Sequence, residues 1–169
     1  MKVLIVQLDA PTLHALADGD LARAGRTSPV PLTEWLVSPE AIGTWRMRAR
    51  QADESPQDLP WVTGVVWDDE AGACVGKAGF HAAPDEDGLV ELGYAVDPAY
   101  RRRGYARAAL EAMLARAAAD PSVRTVRASV SPANAPSLAL IAGYHFTQVG
   151  EQWDEEDGLE LVYERDAAT

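Results

Sequence analysis

Residues 89 to 119 constrain the fold of this chain more than any other stretch. LVELGYAV (Leu89–Val96) is rich in branched and aromatic residues and reads as a strand. It lacks clean alternation, which predicts a central strand buried on both faces. DPAY then turns the chain. From about Arg102 to Ala119 the apolar spacing becomes helical, with Ala106, Leu110, Met113, Leu114 and Ala117 on one face and Arg107, Glu111 and Arg116 off it.

The rest of the chain fits around this strand–turn–helix unit. KVLIVQL (residues 2–8) reads as a short strand. DAPTLHALADGDLARAG predicts one or two short helices broken near Gly19, with Asp9 and Asp20 as N-caps. Ser38 before Pro39 and Glu40 predicts the start of a further helix that ends at SPQDLP. WVTGVVWDD and ACVGKAGFHAA, separated by EAG, predict a hairpin. VRTVRASV alternates as a strand, NAPSLALIAG is a short helix ended by Gly143, and YHFTQVGEQW with LELVYER form a last hairpin around the acidic turn DEEDG. The expected architecture is a single α+β domain over residues 1–169, built on one mixed, mostly antiparallel sheet flanked by helices.

The turn RRRGYA raises a chemical question. Fifteen basic against twenty-six acidic residues leave a net charge of -11. Such a chain is a poor general binder of nucleic acid or of anionic membranes, so three adjacent arginines need a local reason. The first N–H groups of a helix lack intrahelical partners and, with the helix dipole, favour an anion. Gly104 removes a side chain that would block close approach, Ala106 leaves room, and Arg101, Arg102 and Arg103 add charge. The stretch therefore suits a phosphate or pyrophosphate. The alternative is a solvated basic helix start, which the dipole opposes. It is neither a Walker A loop, lacking Gly-Lys-Ser/Thr, nor a dinucleotide fingerprint, lacking the first glycine.

VDPAYRRRGYA resembles the acyl-CoA pyrophosphate loop of the GNAT N-acetyltransferase superfamily, Gln/Arg-x-x-Gly-x-Gly/Ala, with Arg101, Gly104 and Ala106 at the fixed positions. ACVGKAGF, DGLVELGYAV, VRASVSPANAPSLALIAGY and DGLELVYER resemble the RimJ/RimL-type branch in the same order, from about Trp61 to Arg165. The resemblance implies the GNAT fold and acetyl-CoA as cosubstrate. The implied reaction transfers acetyl to a primary amine, either a small molecule or a protein or peptide N-terminus. A non-catalytic acyl-CoA-binding or sensor module on the same fold is the alternative, and a homodimer is compatible with either.

The resemblance also implies residue roles. Ala95 and Val96 offer main chain to the thioester and pantetheine, and Tyr105 belongs to the pyrophosphate turn. Glu91, in an apolar strand where burial would raise a carboxylate toward working pH, is the expected general base; the alternatives are a solvent-facing or arginine-paired glutamate, with a water chain serving instead. Asn134 holds pantetheine, and Ser137 protonates the thiolate or relays a proton. Helix capping is the structural alternative for both. Many relatives carry a tyrosine as general acid where this chain has Ile141 and Ala142, which leaves Tyr144 as a second candidate.

Other residues carry less. His81 and His145 are too scattered to form a metal site, and each reads as a strand residue with a local hydrogen bond. Cys74, the one cysteine, excludes an intrachain disulfide and reads as buried and inert. Most of the tryptophans read as core, with Trp45 or Trp61 as candidates to line an acceptor cleft. The N-terminus has no signal-like apolar run, and no stretch approaches the roughly 20 apolar residues that span a bilayer. The expectation is a cytoplasmic protein with neither membrane nor nucleic-acid partner.

Overall fold

The computed structural model describes residues 1–169. Its seven strands form one sheet in the order β1-β2-β3-β4-β5-β7-β6. The chain divides into two compact units, Met1–Ala83 with Gly93–Ala112, and Pro84–Leu92 with Met113–Thr169.

In the first unit β1 (Val3–Val6) pairs antiparallel with β2 (Gly64–Asp68), and β2 with β3 (Ala73–Phe80). The EAG hairpin turn holds. Helix α1 (Ala10–Ala17) starts where Asp9 accepts the Thr12 N–H at 3.0 Å, and α2 (Leu21–Thr27) where Asp20 accepts the Arg23 N–H at 2.9 Å. Gly19, at φ +72, supplies the left-handed residue that separates them. These caps satisfy N–H groups that would otherwise lack partners, each worth about 1 kcal/mol. The core gathers Leu13, Leu16, Leu36, Trp45, Val65 and Cys74. Trp45 lies on α3 (Ile42–Glu54), is fully buried, and donates its indole N–H to the Leu36 carbonyl at 2.8 Å.

The expected start of α3 is displaced. Ser38 does not cap it; the helix begins at Ile42, and Ser38 closes a 3-10 turn over Glu34–Val37 through its N–H to the Trp35 carbonyl. The preceding turn claims the serine backbone first, and Pro39–Ala41 form a further turn before the helix axis is set.

In the second unit the first half of β4 (Leu89–Val96) runs parallel to β5 (Thr125–Val130), which pairs antiparallel with β7 (Gly158–Asp166). β6 (Thr147–Asp154) completes the terminal hairpin at the sheet edge. β5 alternates as expected, with Val126, Ala128 and Val130 buried. Helix α5 spans Ala135–Ala142 and stops at Gly143.

β4 is the middle strand of the seven, but its two faces are not equally covered. Val90 and Leu92 are buried, whereas Leu89, Glu91 and Gly93 to Val96 are only half-buried. A central strand needs both edges paired, not both faces sealed, so the missing alternation marked position rather than two-sided burial. Helix α4 spans Tyr105–Ala119, not from Arg102. Arg102 at φ +61 and Gly104 at φ +88 are left-handed and cannot continue a right-handed helix.

Candidate functional site

In the first unit the end of β4 is shaped by β3. A Cβ on Gly76 would lie 2.4 Å from the Ala95 carbonyl oxygen and 3.1 Å from the Val96 Cα, so only glycine permits this approach. The Asp97 N–H donates to the Val75 carbonyl at 3.0 Å, and Asp97 then accepts the Ala99 N–H at 2.9 Å to cap a 3-10 turn over Pro98–Tyr100. The chain thus leaves the strand in a defined direction.

The three arginines do different things. Arg101 donates its Nε to the Val96 carbonyl at 3.0 Å and its Nη2 to Glu40 Oε1 at 2.6 Å. Glu40 Oε2 in turn accepts the Trp35 indole N–H at 3.3 Å. Arg103 lies over the Tyr100 ring, 5.6 Å from its centroid. Arg102 is exposed and holds the left-handed turn.

Gly104 stands between the turn and the helix. A Cβ there would meet no atom within 4 Å, so its side is open, while its positive φ favours glycine. The first helical bond runs from the Ala108 N–H to the Gly104 carbonyl at 3.0 Å. The N–H groups of Tyr105, Ala106 and Arg107 precede it and have no intrahelical acceptor. Because α4 starts after the arginines, their charge flanks those N–H groups rather than opposing the dipole from within the first turn. Ala106 is half-buried.

Tyr105 faces inward. Its hydroxyl donates to Asp68 Oδ2 at 2.7 Å, and Asp68 Oδ1 accepts the Glu70 and Ala71 N–H groups. The tyrosine hydroxyl and these amides hold the Asp68 carboxyl below its ordinary value, and Asp68 raises the Tyr105 hydroxyl. The side chain anchors the helix start to β2, leaving its backbone N–H for the turn.

Residues with no site role expected from the sequence also occupy built positions. The His81 ring lies over β4, its Nε2 3.1 Å from where a Cβ on Gly93 would stand. The His81 carbonyl accepts Arg48 Nη1 at 3.0 Å and Gln51 Nε2 at 2.8 Å, both from α3. Lys77 on β3 is buried; its ammonium donates to Thr44 Oγ1 and to the Ala41 carbonyl, and burial pushes its pKa down to about 8. Burial pushes the Cys74 thiol up to about 11.

In the second unit Glu91 is half-buried and stands in register with Arg127 on β5. Arg127 commits its Nε and Nη2 to Glu164 Oε1, at 2.9 and 2.5 Å. Asn134 caps α5, its Oδ1 accepting the Ser137 N–H at 3.2 Å, so the capping geometry is realised for this pair. Asn134 is exposed, Ser137 half-buried. Ile141 is buried and Ala142 exposed, and neither side chain carries a hydroxyl. Tyr144 is half-buried, and its carbonyl accepts Arg165 Nη1 at 2.8 Å. No group of three or more His, Cys, Asp or Glu side chains is arranged to hold a metal ion, and no helix is long and apolar enough to cross a membrane.

The family model for the acetyltransferase (GNAT) domain matches residues 3–147. No curated protein matches the chain by sequence. Solved structures share the fold. A spermidine N-acetyltransferase chimera from Vibrio cholerae and a second source protein superposes with a TM-score of 0.69 at 12% identity, covering 99% of this chain and 97% of the other. A GNAT-family acetyltransferase from Bacillus anthracis gives 0.64 at 17%, covering 100% and 97%. The ribosomal-protein-S5-alanine acetyltransferase of Vibrio fischeri gives 0.66 at 15%, covering 99% and 94%.

Proposed function

The chain belongs to the GNAT acetyltransferase domain family, and from that premise we propose that it is an N-acetyltransferase moving acetyl from acetyl-CoA to a primary amine by direct transfer. The observation that supports this is the turn before α4, where Gly104 is open on its Cβ side, three N–H groups lack intrahelical acceptors, and exposed arginines flank them. These residues fit a pyrophosphate: the amides supply directed donors and Arg102 and Arg103 supply charge. Ala95 and Val96 offer main chain to the thioester arm, and Asn134 holds pantetheine.

In this reading the amine nitrogen attacks the thioester carbon, the C–N bond forms, and the C–S bond breaks. Glu91 is the base candidate that the family resemblance supplies for the amine proton, directly or through water. Ser137 returns a proton to the leaving thiolate, with Tyr144 as the second candidate donor. The acceptor is an amine of either size class, a polyamine-like small molecule or a protein N-terminus, and an acidic surface suits a cationic one. The RimJ/RimL-type branch, a cytoplasmic location and a homodimer belong to the same proposal. A second reading, a non-catalytic acyl-CoA-binding module, draws support from the buried Ile141 and exposed Ala142 where relatives place a hydroxyl.

Calorimetric titration with acetyl-CoA tests the proposal. The unmodified protein should bind, and Gly104→Glu should lose at least tenfold in affinity. Gly104→Ala carries the same strain at φ +88 without the carboxylate and controls for the backbone. CoA release with a panel of amines then separates enzyme from binding module. Absence of binding by the unmodified protein would remove the foundation of both readings.

A further inference from the structure

We propose that His81 is the general base of the transfer, its imidazole accepting the proton of the attacking amine. The inference rests on the acetyltransferase reading above and refines which group handles that proton.

Three observations meet at this residue. First, the imidazole occupies a place made for it. Its Nε2 lies 3.1 Å and its Cδ2 3.8 Å from the position of a Cβ on Gly93, so the ring packs closely on β4 there and a side chain at Gly93 would push it by a few tenths of an ångström. Second, the backbone beneath the ring is fixed. The His81 carbonyl takes two donors from α3, Arg48 Nη1 and Gln51 Nε2. The Gln51 amide also donates to Asp58 Oδ2, and Asp58 Oδ1 accepts the Ala83 N–H. Arg48 is itself buried and donates its Nε to Thr63. Third, the side chain is exposed although its backbone is clamped, an arrangement that presents a functional group rather than filling a core.

Strand geometry places the group within reach of the chemistry. Gly93 precedes Ala95 by two residues on β4, about 7 Å at ~3.3 Å per residue. An imidazole lying over Gly93 thus stands two residues along β4 from Ala95, where this reading holds the thioester. Glu91 precedes Ala95 by four residues, about 13 Å along the strand, and needs an intervening water to act on the same proton. The charged groups tied to the clamp are Arg48 on α3 and Asp58 after it, while Glu91 stands two residues before Gly93 in β4. The step balances simply. The amine nitrogen forms the C–N bond, its proton passes to the imidazole, and the thiolate leaves with the C–S electron pair.

The test compares His81→Gln and His81→Ala with the unmodified protein, using acetyl-CoA and a panel of a polyamine, a monoamine and an alanine-starting peptide. With the best acceptor, kcat should fall about 10²- to 10⁴-fold in both variants. The acetyl-CoA Kd from calorimetry should change less than threefold, which also reports an intact fold. The acid limb of the kcat/KM profile should vanish, and added imidazole should restore turnover to His81→Ala. Turnover within threefold of the unmodified protein, or an acid limb that persists in His81→Gln and disappears in Glu91→Gln, overturns the assignment and leaves the acetyltransferase reading standing. Acetyl-CoA binding with no turnover on any amine overturns the assignment and the enzyme reading together; failure to bind acetyl-CoA removes the site itself.

Discussion

Glu40 and Arg101 stand 61 residues apart in sequence and meet at 2.6 Å. The same guanidinium reaches the Val96 carbonyl, so one side chain joins the end of β4 to the segment before α3. The motif position that suggests a phosphate contact is thus occupied by a residue already committed to two protein partners.

That commitment can be measured. Arg101→Gln and Glu40→Gln should weaken acetyl-CoA binding by similar factors, each below tenfold, and the double variant should be no worse than either. The pair is half-exposed, so its effect on stability should stay below about 1 kcal/mol. Calorimetry on the four proteins decides the matter: a loss confined to Arg101→Gln would make Arg101 a direct phosphate ligand.

Tyr105 and Asp68 should leave a mark on stability at both ends of the pH range. Asp68 is depressed below 3.8 in the folded state, so its contribution is complete above that value and fades as pH falls through the folded pKa. Tyr105 is raised above 10.0, so its contribution is complete below that value and fades as pH rises through the folded pKa. Tyr105→Phe should lose the alkaline dependence and part of the acid one, because the Glu70 and Ala71 N–H groups still hold Asp68. Urea denaturation across acidic, neutral and alkaline buffers will show whether the difference between variant and parent narrows at each extreme.

Lys77 predicts a pH dependence opposite in sign to that of Tyr105. Burial lowers it from 10.5 to about 8, so the unfolded chain holds a proton that the folded chain releases between those values. Stability should therefore rise with pH across that window, by up to about 3 kcal/mol at roughly 1.4 kcal/mol per pKa unit. Lys77→Met should abolish the rise. An unchanged slope in the variant would show that the ammonium is not the group responsible.

Cys74 should be silent while the protein is folded. Its thiol is 1% exposed and pushed up to about 11, so little thiolate forms near neutrality. Maleimide labelling should follow global unfolding, rising with urea along the denaturation curve. Rapid labelling in native buffer would mean that the strands around it open locally.

Local signals in the sequence located most elements. Asp9 and Asp20 cap α1 and α2 because a carboxylate accepts an N–H three residues on, an interaction contained within one turn. The parity of VRTVRASV placed Val126, Ala128 and Val130 inward because a strand repeats every two residues. Ser38 misled because it carries the same local signal as a cap, yet the 3-10 turn before it took its backbone. Likewise, the spacing of apolar residues ran the helix back to Arg102, although the left-handed Arg102 and Gly104 delay it to Tyr105.

The sequence by itself determined the order of strands and helices, the turn that carries RRRGYA, and the family to which these belong, since each depends on neighbours within a few residues. Only the tertiary structure decided what the side chains at that turn face. Arg101 meets Glu40, Tyr105 meets an aspartate 37 residues away, and the His81 carbonyl is clamped by an arginine 33 residues earlier. Those partners converge because packing brings distant segments together, and no short-range period or cap records which charged or polar group will arrive opposite another.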